Sequence, residues 1–150
     1  VDLAFLLITF FMLTTSLAKP VAMDIAKPDD SDPTVRLDFP ASRTMTILLG
    51  KNDKVVWYMG QEGKSIPTVE GFDAIRASIL ANKNSVAEEH NFDPKKPLYI
   101  IIKPTSGATF KNFVDVMDEL NVAKITSAPA IDDEHITLAE QAFMRQNQLL

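Results

Sequence analysis

Hydrophobic and polar positions are spread very unevenly along this chain. The opening run VDLAFLLITFFMLTTSLAK places Asp2 at its front and carries no further charge until Lys19. As a helix, residues 1–18 would rise about 27 Å, close to the roughly 30 Å of a bilayer's hydrocarbon core. Thr9, Thr14, Thr15 and Ser16 suit such a helix, because their hydroxyls can bond backbone carbonyls. Lys19 and Pro20 end it. Two other readings stay open. One is a signal peptide with Leu3 to Leu13 as apolar core and Ser16-Leu17-Ala18 as cleavage site, although Asp2 stands where a basic residue is wanted. The other is a helix buried in a soluble core. The chain opens on Val1 and reads as a piece of a longer protein whose N-terminus is missing.

From Lys19 to Asp38 the pattern breaks. Pro20, Pro28 and Pro33 and the cluster Asp29, Asp30, Asp32 make this a semi-extended linker, since proline removes backbone donors and restricts its neighbours. Within it, Val21 to Ile25 alternates as a short edge strand or docking peptide would. The aspartates read as a solvated loop.

Thr44 to Leu49 and Lys54 to Met59 are β-branched and aromatic runs around Gly50-Lys51-Asn52-Asp53, which predicts a hairpin. Trp57 and Tyr58 are expected to pack within the strand. Phe72, Ile75 and Ile79 recur at helical spacing, predicting a helix over 69–81 with Thr68 as N-cap and Asn82 as stop. Glu88 to Pro97 is polar and reads as loop, with His90 exposed. Leu98 to Lys103, LYIIIK, predicts a central strand. Ala108 to Asn121 predicts an amphipathic helix with Phe110, Phe113, Val114, Met117 and Leu120 inward and Lys111, Asn112, Asp115 and Asp118 outward. A short strand is expected over 122–126, and a last helix over 134–148 capped by Asp132 and Asp133. The order implies an α+β fold, a small mixed sheet with its first two soluble helices on one face.

Composition changes this picture in three ways. A net charge of −5 without a Lys/Arg stripe argues against nucleic acid as a partner. The chain has no cysteine, so disulfides, thiolate nucleophiles and Cys-based metal sites are excluded. The lone glycine of Pro104-Thr105-Ser106-Gly107 does not make a phosphate loop. Asp132, Asp133 and His135 fit a helix start better than a metal site. No Ser/His/Asp, Cys/His or paired-carboxylate arrangement stands out, so nothing points to an enzyme or a cofactor.

Asp2 is the candidate for chemistry. An Asp near the centre of a membrane helix costs roughly 2.5–3.5 kcal/mol on the insertion scale. Such residues face a bundle interior or a wet cavity and often carry protons or ions. The plain alternative places Asp2 at headgroup level, solvated.

VDLAFLLITFFMLTT closely resembles the start of the membrane helix of ExbD and TolR proteins. PLYIIIKPTSGATFKNFVDVMDELNVAKITSA, with its Val116-Met117-Asp118 step, resembles the strand-helix-strand end of their periplasmic domain. The similarity covers about residues 1–128 (element by element). It implies a single-pass inner-membrane protein: a transmembrane helix over 1–18, a linker over 19–43, a periplasmic α+β domain over 44–128 and a C-terminal helical tail over 129–150. It implies a homodimer whose helices sit in membrane lipid inside an ExbB-like pentamer. Proton flow would then energise a TonB-like transducer and outer-membrane uptake. Asp2 matches the family's ion-carrying residue, Thr14 and Thr15 become possible pore-lining residues, and Val21 to Pro28 resembles the linker that can dock on the periplasmic domain. A TolR-like role in envelope maintenance is the alternative client. A secreted or anchored periplasmic binding module is the alternative of another class.

Overall fold

The computed structural model describes residues 2–17 and 39–150, with side chains described from Asp2 to Met12 and from 39 onward. The linker aspartates and the strand expected at Val21 to Ile25 lie outside the described residues.

Helix α1 spans Asp2–Leu17. Its 16 residues rise about 24 Å at 1.5 Å each. Among the described residues no helix is long and apolar enough to cross a membrane. The span expected over 1–18 is therefore present as a shorter apolar helix. Thr9 bonds back to the Phe5 carbonyl at 2.7 Å, as its hydroxyl was expected to do.

The remaining elements form a five-stranded mixed sheet in the order β3-β2-β1-β4-β5. Strands β1 (Thr44–Leu49) and β2 (Lys54–Met59) make the expected antiparallel hairpin, with Asn52 and Asp53 in the left-handed region at its turn. Strand β4 (Tyr99–Pro104) pairs parallel with β1. All six residues of β1 are buried, because it lies mid-sheet with both faces covered. Alternation sends Met45, Ile47, Leu49, Val55, Ile100 and Ile102 into one core beneath the two long helices. Leu48, Val56 and Tyr58 point the other way, into a second core.

Several boundaries differ from the sequence reading. Thr68–Gly71 is strand β3, paired with β2 so that Val69 lies opposite Val56. Helix α2 accordingly starts at Phe72 rather than Val69, with Gly71 and not Thr68 at its N-cap. Cross-strand pairing outweighs the local helical spacing there. Asn82 does not stop the helix. Its amide donates to the Ser78 carbonyl at 2.9 Å, and α2 runs on to Glu89 with Val86 buried. His90 is half-buried, not exposed.

Helix α3 spans Phe110–Val122 under a reciprocal capping box between Thr109 and Asn112. Phe113, Met117 and Leu120 face inward as expected, whereas Phe110 is 81% and Val114 39% exposed and Asn112 is buried. Asn112 is tolerated there because it bonds Thr109 and, at 2.6 Å, Asp53 of the hairpin turn. The strand expected over 122–126 is absent. The sheet's last strand is instead β5 (Ala130–Ile131), parallel to β4.

The last helix, α4, spans Leu138–Gln146 and is shorter than expected. Thr137 and Glu140 form its capping box, so Asp132 and Asp133 are not its caps. Asp132 instead accepts from the His135 backbone N–H at 3.0 Å.

Helices α2, α3 and α4 share one device at their C-termini. Asn91, Lys124 and Gln148 take positive φ, and the next residue's N–H returns to a carbonyl five positions back: Phe92 to Ala87, Ile125 to Leu120, Leu149 to Met144. These are Schellman caps with a non-glycine residue in the left-handed position, each followed by an apolar residue.

Candidate functional site

Two places could carry function. The first is α1. Leu3, Phe5, Leu6, Ile8, Phe10 and Met12 are all at least 61% exposed. A helix that is apolar all round is at home inside protein or lipid, not in water. Asp2 is the sole charged residue of α1, exposed and in its first turn. A carboxylate there also suits the positive end of the helix dipole. Thr14 and Thr15 belong to the helix by their backbone, and their side chains lie outside what is described.

The second place is the sheet face opposite α2 and α3. Here β2 contributes Tyr58, β4 contributes Lys103 and α4 contributes Glu140, three groups far apart in the chain. Glu140 Oε1 accepts from the Tyr58 hydroxyl at 2.6 Å and from Lys103 Nζ at 3.0 Å. Glu140 Oε2 accepts from Lys103 Nζ at 3.0 Å and from the Thr137 N–H at 2.8 Å. Lys103 Nζ also donates to the His135 carbonyl at 2.9 Å. The Lys103 and Glu140 side chains are only 10% and 2% exposed. A buried ion pair survives when its remaining hydrogen-bonding capacity is filled, as it is here.

Burial holds the Tyr58 hydroxyl well above the ordinary tyrosine range, and its bond to Glu140 pushes the same way. The neutral phenol is thus favoured in the folded state. Above about pH 10 the unfolded chain releases this proton while the folded chain keeps it. Stability from this group is therefore complete below pH 10 and declines above it by up to about 1.4 kcal/mol per pH unit. Urea denaturation of the parent and of Tyr58→Phe between pH 9 and 11 is expected to show the decline in the parent and a smaller one in the variant.

Two cavities flank this cluster. One of about 200 Å³ is lined by Leu48, Val56, Tyr58, Pro67, Ala139 and Phe143. The other, about 300 Å³ and more polar, includes Phe39, Thr46, Tyr58, Lys103 and Asp132. Asp132 and His135 contact each other at 2.8 Å, and among the described residues no group of acidic, His or Cys side chains could hold a metal ion.

Sequence reading missed the Tyr58–Lys103–Glu140 cluster. Its visible trace was the T-x-x-E spacing of Thr137 and Glu140, together with a lysine closing the apolar run LYIIIK. Nothing local announced that the three groups meet.

The described residues thus form a largely apolar helix with one carboxylate and a small mixed α+β domain. The family described as biopolymer transport protein ExbD/TolR matches residues 1–129, and the chain belongs to that family. No curated protein and no solved structure matches the chain.

Proposed function

We propose that this chain is the ion-carrying subunit of an inner-membrane motor that couples proton flow to outer-membrane uptake. One observation carries the reading: Asp2 is the lone ionisable group on an apolar helix whose large side chains are exposed, inside the part of the chain that matches the family. In this reading α1 is the membrane element, residues 19–43 form a linker, the α+β domain lies in the periplasm, and two copies assemble within an ExbB-like pentamer. Asp2 takes a proton from one side and releases it to the other. Moving one charge through the membrane potential is worth about 2.3 kcal/mol per 100 mV, which alternating protonation of two Asp2 side chains converts into stepping. A TonB-like transducer receives the motion.

Infrared titration of the assembled complex, with carboxylate bands assigned through Asp2→Asn, tests this reading. A protonation change at Asp2 within the working pH range is expected. A side chain locked in one state across that range refutes the carrier role. A strain carrying the variant reports the client: lost uptake fits the TonB-type system, and a leaking envelope fits the Tol–Pal type.

A further inference from the structure

The second core is built differently from the first. Every buried residue of the first core lies between Met45 and Ile125. The second joins Leu48, Val56 and Tyr58 of the sheet to Met144 and Leu149 of the tail. The α2/α3 layer is therefore closed without any residue beyond Ile125. The tail forms a layer of its own, and it begins where the family match ends at residue 129.

Its attachments are few and of a kind that breaks together. Strand β5 is two residues long, followed by one further bond from the Asp132 N–H to the Ile102 carbonyl at 3.0 Å. Met144 and Leu149 are buried against Leu48 and Val56, while a cavity of about 200 Å³ opens beside them, lined by Ala139 and Phe143 of α4 and by Leu48 and Val56 of the sheet. Glu140 is gripped by Tyr58 and Lys103. Losing one partner of this pair would leave a bare charge in the interior. At the far end the Lys51 N–H donates to the Leu149 carbonyl at 2.8 Å. Gly107 makes room for that carbonyl: a Cβ at this position would collide with the Leu149 oxygen and stand 2.9 Å from the Lys51 side chain.

We propose that residues 132–150 are a releasable strap, latched by Lys103–Glu140–Tyr58 and seated at Gly107, that opens as a unit to bare the Leu48–Val56–Tyr58 face while the α2/α3 layer stays folded. The strap hinges at Asp132 and Asp133, just after the last sheet bond. It closes the face beside Phe39, which shares a cavity with Tyr58, Lys103 and Asp132. The inference is independent of proton carriage by Asp2.

The absence of native cysteine allows a direct test. Val55 and Val56 are adjacent in β2 and both fully buried, Val55 in the first core and Val56 in the second. Each is replaced by Cys, one at a time, in the full chain, and thiol labelling by a maleimide is followed with and without Glu140→Gln or Gly107→Ala. Either latch variant is expected to speed labelling at Val56→Cys by at least about tenfold and to leave Val55→Cys unchanged, because only a sub-global opening exposes one and not the other. Equal acceleration at both sites, or at neither, overturns the strap. Hydrogen exchange in Gly107→Ala without any cysteine gives a second reading. Faster exchange in α4 with unchanged β1 and β4 supports release, and acceleration shared by β1 and β4 overturns it.

Discussion

Asp2→Asn is expected to assemble as the parent chain does and to support no uptake above the background of a strain lacking the protein. The two side chains have nearly the same shape, so helix packing and dimer formation should persist. Asn cannot ionise, and α1 holds no other titratable group to take over. Without a group that changes charge, the roughly 2.3 kcal/mol available per elementary charge at 100 mV has nothing to act on. Asp2→Glu keeps the chemistry and moves the carboxyl by one methylene, so partial activity at best is expected. Co-purification of the complex checks assembly, and transport of an outer-membrane substrate in whole cells checks function. Full transport by Asp2→Asn would end the case for this residue.

Glu140→Ala and Lys103→Ala are each expected to weaken docking of the tail by about 3–5 kcal/mol, the usual cost of leaving one member of a buried pair alone. Glu140→Ala strands the Lys103 ammonium and also leaves the Tyr58 hydroxyl without its acceptor. Lys103→Ala strands a carboxylate that keeps only the Tyr58 and Thr137 donors. The joint replacement Lys103→Met with Glu140→Leu and Tyr58→Phe is expected to recover most of the loss, because it leaves neither a buried charge nor a buried hydroxyl without its partner. Protection of the α4 amides against hydrogen exchange measures the docking energy directly. If the joint replacement is as damaging as the sum of the single ones, the pair is not a coupled unit and the latch fails.

Parts of the structure that rest on short-range patterns could be read from the chain. The apolar helix was visible because sixteen consecutive positions carry a single charge at their front. The hairpin was visible because two β-branched runs flank a turn of Gly, Asn and Asp. The β4 strand was visible as an isoleucine-rich run. Asp2 could be singled out because it is the one ionisable group of that apolar run, and such a group is costly where a helix lies in lipid.

Helix ends were harder to place, for a specific reason. Glycine usually marks the left-handed residue of a Schellman cap, and here Asn91, Lys124 and Gln148 occupy it. The surviving cue is the apolar residue after each, Phe92, Ile125 and Leu149. At the front of α2, Thr68–Gly71 was taken into β3 by Val56 on the neighbouring strand, a preference that no local window contains. On α3, Asn112 turned inward because Asp53, 59 residues earlier, supplies its partner.

The amino-acid order alone thus determined the apolar helix, its one carboxylate, the hairpin, the central strands and the α+β class, since each follows from periodicity or composition within about a dozen residues. The tertiary structure decided which side of the sheet the tail covers and which three distant side chains hold it there. Burying Lys103 against Glu140 and Tyr58 is favourable only when all three arrive together. That condition is set by strand register and helix placement rather than by any one stretch of chain.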